Sequence, residues 1–249
     1  ELKRTTEAQA RDRKEMEIAR EIQQSFLPQE YPRIPGVTLA ARSVPARVVG
    51  GDFYDFIPLG EGRWGILIAD VSGKGVPAAL FTGLSRSLVR VYATETGSVT
   101  KALSAFNAYV TEDNPASMFV TLFCASLSPG GDMVCVNAGH NPPLLVRRGG
   151  EILPIGATGV PLGLFAEAKY GEKPLQLGEG DTLVLYTDGV TEAFNGAEEL
   201  CGMERLAEVL KGCAGLPPEE GLERILEAVG SFAAGAPQSD DITVVVLRV

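Results

Sequence analysis

From residue 37 onward the chain is cut into short apolar runs, each closed by glycine, proline or aspartate, and helical spacing interrupts them only as consecutive pairs. Strands are expected at 37–44, 52–58, 63–71, 118–127, 133–137, 144–147, 170–177, 182–187 and 242–249. Helical periodicity is expected at 76–92, with Pro77 suited to a first turn, and at 99–110, then at 203–211 and 218–232. A regular parallel β-α repeat would place one helix after each strand. Helices in pairs argue instead for antiparallel sheets with helices grouped on the outside, an α+β fold. At 249 residues and 45% hydrophobic content the chain has enough apolar material for a continuous core.

Residues 1–27 contain neither Pro nor Gly and are rich in Glu, Arg, Lys, Gln and Ala, which predicts a long helix closed by Pro28. Met16, Ala19, Ile22 and Phe26 recur at helical spacing as one apolar stripe. The stripe fits a helix docked on its own domain, and equally a coiled-coil linker from an upstream regulatory domain. The expected division is therefore a helical linker over 1–28 and a globular domain over 29–249. A start at Glu1 without methionine suggests a piece of a longer chain, although processing or cloning would give the same start.

Charge narrows the function classes. A formal net charge of −10 argues against nucleic-acid binding, which draws its affinity from Lys and Arg on phosphates. No apolar run approaches the roughly 18 residues of a membrane span, and the charged N-terminus has no signal-peptide stretch. The four cysteines, Cys124, Cys135, Cys201 and Cys213, form no C-x-x-C pair. Cys124 and Cys135 sit in apolar runs as small hydrophobes, so reduced core residues and a cytoplasmic setting are expected.

The chemistry-bearing residues are acids. Gly50-Gly51-Asp52, Ile68-Ala69-Asp70, Tyr186-Thr187-Asp188-Gly189 and Ser239-Asp240-Asp241-Ile242 each place Asp at the edge of an apolar run. A single such Asp is ordinarily a turn former or helix cap. If four strand ends converge, their carboxylates repel unless cations stand between them. Oxygen-only donors favour Mn²⁺ or Mg²⁺, and one histidine without paired cysteines disfavours zinc. Two such ions can activate a bridging water for in-line attack on a phosphomonoester, with no protein nucleophile.

These residues carry a resemblance. In order the chain reads Ala19-Arg20-Glu21-Ile22-Gln23-Gln24-Ser25-Phe26-Leu27-Pro28, Gly50-Gly51-Asp52-Phe53-Tyr54-Asp55, Ala69-Asp70-Val71-Ser72-Gly73-Lys74-Gly75, Met118-Phe119-Val120-Thr121, Ala138-Gly139-His140-Asn141-Pro142, Tyr186-Thr187-Asp188-Gly189-Val190-Thr191-Glu192-Ala193 and Asp240-Asp241-Ile242-Thr243-Val244. From about residue 16 to the end it resembles the bacterial sporulation and stress-response branch of the protein phosphatase 2C family. The resemblance implies a sandwich of two antiparallel sheets flanked by helices, holding two Mn²⁺ or Mg²⁺ ions at one end. By motif, Asp52 and Asp70 would hold both metals, the Val71 carbonyl would add a ligand, and Asp188 and Asp240 would complete one shell. Asp241 is an outer-shell alternative to Asp240, the expected ligand. The resemblance further implies activity on phosphoserine or phosphothreonine of an anti-anti-sigma-type protein. It also implies an upstream sensory or receiver domain joined through residues 1–28, signalling by docking of that helix near residues 73–79, and a homodimer through the same helix. Phe26 and Cys201 depart from the branch's usual Leu and Phe. Arg42, Arg47 and Lys74 are candidates for gripping phosphate, none singled out by motif.

Other readings compete. Gly73-Lys74-Gly75-Val76-Pro77-Ala78 imitates a dinucleotide-binding turn, but that fold needs a strand directly after the helix, whereas 76–110 reads as helical. No cysteine precedes arginine at the C-x-x-x-x-x-R spacing of cysteine-dependent phosphatases. His140, the only histidine, reads as a turn residue bonded to backbone. A catalytically silent domain that only binds a partner would lack one of the metal aspartates, and all are present.

Overall fold

The computed structural model describes residues 2–112, 114 and 117–249, with side chains of the first helix described at Arg11 and from Arg13 onward. Its strands form two five-stranded sheets in which every paired strand is antiparallel. The first sheet runs β1 (Thr38–Val44), β10 (Ile242–Arg248), β9 (Thr182–Tyr186), β6 (Leu144–Val146), β7 (Ile152–Pro154). The second runs β2 (Asp52–Gly60), β3 (Arg63–Val71), β4 (Val120–Leu127), β5 (Asp132–Ala138), β8 (Lys173–Gln176). The helices are α1 (Leu2–Phe26), α2 (Val76–Thr96), α3 (Val99–Glu112), α4 (Asp188–Thr191), α5 (Gly202–Lys211) and α6 (Pro218–Ala233).

The central strands of each sheet are buried on both faces, which is why they read as unbroken apolar runs rather than alternating ones. Tyr54, Phe56, Ile66, Ile68, Phe123, Val245 and Leu247 fill the space between the sheets. The opposite face of the second sheet, through Phe53, Ile57, Leu67 and Leu122, packs on Leu103 and Phe106 of α3 and on α2. The outer face of the first sheet, through Val184, Tyr186 and Val244, packs on α5 and α6 through Leu206, Leu210 and Ile225. Each fully buried Leu or Phe in these layers contributes about 1.5–3 kcal/mol. Cys124, Cys135, Cys201 and Cys213 are all buried and free. Burial pushes the Cys135 thiol up to about 12, which leaves it an inert core residue.

Two elements fall outside the sequence expectation. β7 is three residues at a sheet edge, and α4 is a single turn, each too short for a periodicity to show. The strand expected over 170–177 shortens to Lys173–Gln176. No described helix is long and apolar enough to cross a membrane.

One charge is enclosed between the second sheet and α2. Asp55, 1% exposed, points to the helical side of β2, where Arg90 Nη1 donates to both its oxygens at 2.8 and 2.9 Å and Arg86 Nη2 donates at 3.2 Å. Removing the carboxylate leaves two partly buried guanidinium groups without it. Asp55→Ala is expected to cost about 3 kcal/mol in urea denaturation. A loss under about 1 kcal/mol, the scale of a surface pair, would show that the cluster does not hold α2 to β2.

α1 docks differently from its sequence stripe. Its half-buried residues are Met16, Ala19 and Gln23, followed by Leu27 just beyond its end, while Ile18, Ile22 and Phe26 remain exposed along a second line. The docking is polar at its centre. Gln23 Nε2 donates to the Gly50 carbonyl at 2.6 Å, and the Gly50 N–H donates to Gln23 Oε1 at 2.9 Å. The ring of Phe26 lies over Gly83, where a Cβ would stand 3.2 Å from it. These contacts tie the helix to Gly50, just before β2, and to Gly83 within α2.

Candidate metal centre

Asp52 and Asp70 are directly opposed residues at the end of the β2–β3 ladder. Opposed residues share a face, and the twofold strand period puts this pair on the face of Tyr54, Phe56, Ile66 and Ile68, at the end of the layer between the sheets. Thr121 of β4 is the next residue across, opposite Asp70. The other sheet reaches the same end through Thr187, whose hydroxyl donates to Asp52 Oδ2 at 2.7 Å and accepts the Thr243 N–H at 2.9 Å. The two sheets are thus joined by one hydroxyl at the acid pair.

β9 turns after Tyr186 into α4, and the chain enters β10 from Asp240 and Asp241. The two neighbouring acids do different work. Asp241 is buried and takes the Ala46 N–H on Oδ1 at 2.7 Å and the Gly51 N–H on Oδ2 at 2.6 Å, so backbone amides engage both oxygens. Asp240 is more open and faces Lys74, whose Nζ donates to its Oδ2 at 2.7 Å and to the Ser239 carbonyl at 3.0 Å. The glycines of the motifs allow this closeness. A Cβ on Gly189 would lie 2.0 Å from the Asp241 carbonyl oxygen, and one on Gly51 would lie 2.8 Å from the Val71 carbonyl oxygen.

Burial and mutual repulsion dominate the electrostatics. Burial first, then the Asp70 charge, pushes the Asp52 carboxyl well above the usual range, against the opposing Thr187 hydrogen bond. Burial, then Asp188, Asp240 and Asp241, push Asp70 up to about 7, with Lys74 opposing. Asp188 is raised by burial and by Glu192 and Asp240. Asp52, Asp70, Asp188 and Asp240 therefore lie within one another's fields or within that of a shared neighbour. Among the described residues no three His, Cys, Asp or Glu side chains are drawn together tightly enough to grip an ion as they stand. The donor set still fits Mn²⁺ or Mg²⁺: all oxygen, buried at Asp52 and half-buried at Asp70, Asp188 and Asp240, and repulsive until a cation neutralises it.

Sequence reasoning gave Thr187 no role, although it stands between Tyr186 and Asp188 in a quoted motif. Thr187→Val keeps the shape and removes the donor to a charged acceptor, worth about 1.5–3 kcal/mol. Mn²⁺ affinity measured by calorimetry is expected to fall roughly tenfold or more. Unchanged affinity would leave Thr187 a packing residue only.

His140 is buried, with its ring Nδ1 2.9 Å from Thr121 Oγ1 and its backbone N–H donating to Asn137 Oδ1 at 2.8 Å. Burial lowers its pKa to about 4, so it is neutral near pH 7. Of the three basic candidates, Arg42 pairs with Glu223, whereas Arg47 and Lys74 line one small recess of about 160 Å³ with Asp240 and Asp241. The much larger cleft of about 1150 Å³ between α5 and α6 is mainly apolar and lies off this end.

The arrangement can be set beside known proteins. The family model described as Stage II sporulation protein E (SpoIIE) matches residues 60–249. The chain belongs to the SpoIIE family. Among curated relatives, Protein IcfG of Synechocystis is 34% identical over 94% of this chain and 41% of its own length. Phosphoserine phosphatase RsbU of Bacillus subtilis is 34% identical over 78% of this chain and 59% of its own length. The chain thus spans about two fifths to three fifths of these relatives. The SiaA-PP2C domain of Pseudomonas aeruginosa superposes with a TM-score of 0.85 at 24% identity, covering 97% of this chain and 98% of that one, which shows the shared fold. The sandwich of antiparallel sheets flanked by helices is therefore the protein phosphatase 2C fold.

Proposed function

We propose that the chain is a metal-dependent protein phosphatase that hydrolyses phosphoserine or phosphothreonine on a regulatory partner protein. The observation that carries the reading is the opposed pair of buried Asp52 and half-buried Asp70 at the end of the sandwich, with Asp70 within the field of Asp188 and Asp240. Asp52, Asp70, Asp188, Asp240 and the Val71 carbonyl would hold two Mn²⁺ or Mg²⁺ ions, and Asp241, engaged by backbone, would hold the ligand loops in place. Bound divalent ions supply Lewis-acid activation of water and neutralise phosphoryl charge. The chain's own part is positional. Thr187 fixes Asp52, Gly51 and Gly189 let the ligand loops approach, and Arg47 and Lys74 present positive charge where a phosphoryl group would enter. The names of the relatives RsbU and RsbP, both phosphoserine phosphatases, favour phosphoserine over a small-molecule ester.

The partner is proposed to be an anti-anti-sigma-type protein in the cytoplasm. Residues 1–28 are proposed as the linker from an upstream sensory or receiver domain, with the exposed Ile18–Ile22–Phe26 line pairing two copies. Through Gln23 the linker grips Gly50, two residues from Asp52. Gln23→Ala is expected to lower Mn²⁺-dependent turnover severalfold without unfolding the 29–249 domain. Equal turnover would detach the linker from the site.

The reading is tested by hydrolysis of para-nitrophenyl phosphate and of a phosphoserine protein in EDTA and in millimolar Mn²⁺. Turnover that requires Mn²⁺ supports it. Partner binding without turnover under both conditions would favour a catalytically silent binding module.

A further inference from the structure

The recess that holds Arg47, Lys74 and Asp240 is not isolated. Gln238 and Ser239 also line a second recess of about 470 Å³ between the end of β1, the segment after α4 and α6. This second recess is walled by Val44, Phe194, Leu226, Ala233 and Ile242. Gln238 forms the ridge between the two. Its Nε2 donates at 2.8 Å both to the Val44 carbonyl, on the apolar side, and to the Asp240 carbonyl, on the acidic side. The two recesses thus share Gln238 and Ser239 in their linings.

We propose that the apolar recess is a specificity pocket for the protein substrate, taking a large apolar side chain that flanks the phosphorylated residue. The proposal rests on the phosphatase reading, because it places the phosphoryl group in the neighbouring polar recess. The occupant follows from that continuity. A segment whose phosphate lies beside Asp240 crosses the Gln238 ridge within one or two residues, since an extended chain advances about 3.3 Å per residue. The volume leaves ample room for a Leu or Phe side chain, and its walls are mainly apolar. The Arg42–Glu223 pair stands at this side of the molecule, and Arg42 is part of the lining.

Gly230 provides a test that does not disturb the site. It lines the recess from α6, and a Cβ added there meets nothing within 4 Å. Gly230→Phe would place a ring in the recess and narrow it, with a residue that helices tolerate better than glycine, and Gly230→Ala would leave it open. The probes are phosphoserine heptapeptides with alanine flanks in which a single Phe is walked from two residues before to two residues after the phosphoserine. Their binding in Mn²⁺ is read by fluorescence anisotropy, beside turnover of para-nitrophenyl phosphate. The chain and Gly230→Ala are expected to prefer one Phe position by roughly tenfold or more, the scale of discrimination by apolar pockets. Gly230→Phe is expected to bind all the peptides alike while turning over para-nitrophenyl phosphate normally. Equal binding of all peptides by the chain itself, or a preference that survives in Gly230→Phe, would overturn the proposal. Failure of turnover alone, with the binding preference intact, would count against the phosphatase reading and not against the pocket.

Discussion

Asp70→Asn is expected to lower Mn²⁺-dependent turnover by roughly a thousandfold, about 4 kcal/mol of lost transition-state stabilisation, and to make the metal-free chain more stable. Both effects have one cause. In the fold the Asp70 carboxyl is held at about 7 by burial and by the charges of Asp188, Asp240 and Asp241. A raised carboxylate pKa means that the folded state binds the proton more tightly than the unfolded one. Its favourable contribution is therefore complete below about pH 4 and is lost as pH rises towards 7. Above that, the ionised carboxylate costs on the order of 2–4 kcal/mol, which the amide does not. Thermal unfolding in EDTA should give curves for the two proteins that meet near pH 4 and separate up to pH 7, with the variant the more stable. Curves that stay parallel across that range would mean that Asp70 is not under repulsion, and the main electrostatic reason for a cation at this place would fail.

Gly189→Ala should be the most damaging single-methyl change in the domain. The added carbon would stand 2.0 Å from the Asp241 carbonyl oxygen, 2.8 Å from its carbon and 3.2 Å from the Asp240 carbonyl oxygen. These are backbone atoms, so no side-chain rotation relieves the overlap. The α4 turn or the start of β10 has to move, at a cost of about 3 kcal/mol. Either movement separates Asp188 from Asp240, so Mn²⁺ affinity should fall together with stability. Gly196→Ala, where a Cβ meets nothing within 4 Å, is the matched control and should change neither. An alanine at 189 that leaves both urea stability and Mn²⁺ binding unchanged would show that the two ligand loops need not approach as closely as they do here.

The strand texture, the paired helices and all four acid positions were legible because each rests on local chemistry. Apolar runs end at Gly and Asp, Pro77 opens a helix, and Asp-Gly marks a tight turn. What joins distant segments was not legible. That Asp52 opposes Asp70 depends on the β2–β3 register, and that Thr187 serves Asp52 depends on how the two sheets stack. Asp240 and Asp241 are alike in sequence and are told apart by which of them the amides of Ala46 and Gly51 reach. Gln23 reads as an ordinary polar helix residue, and its partner is the backbone of Gly50, which carries no side-chain signal. β7 and α4 are too short for a period of two or of 3.6 to be counted.

The most direct test of the account is a calorimetric titration of Mn²⁺ into the metal-free chain at pH 6 and pH 7.5, with Asp52→Asn alongside. The account predicts saturable binding approaching two ions per chain, tighter at the higher pH because ions displace protons from the raised carboxyls, and weakened severely in the variant. Binding that is absent, or equal at both pH values and in the variant, would contradict the claim that the acids at the end of the sandwich form a metal centre.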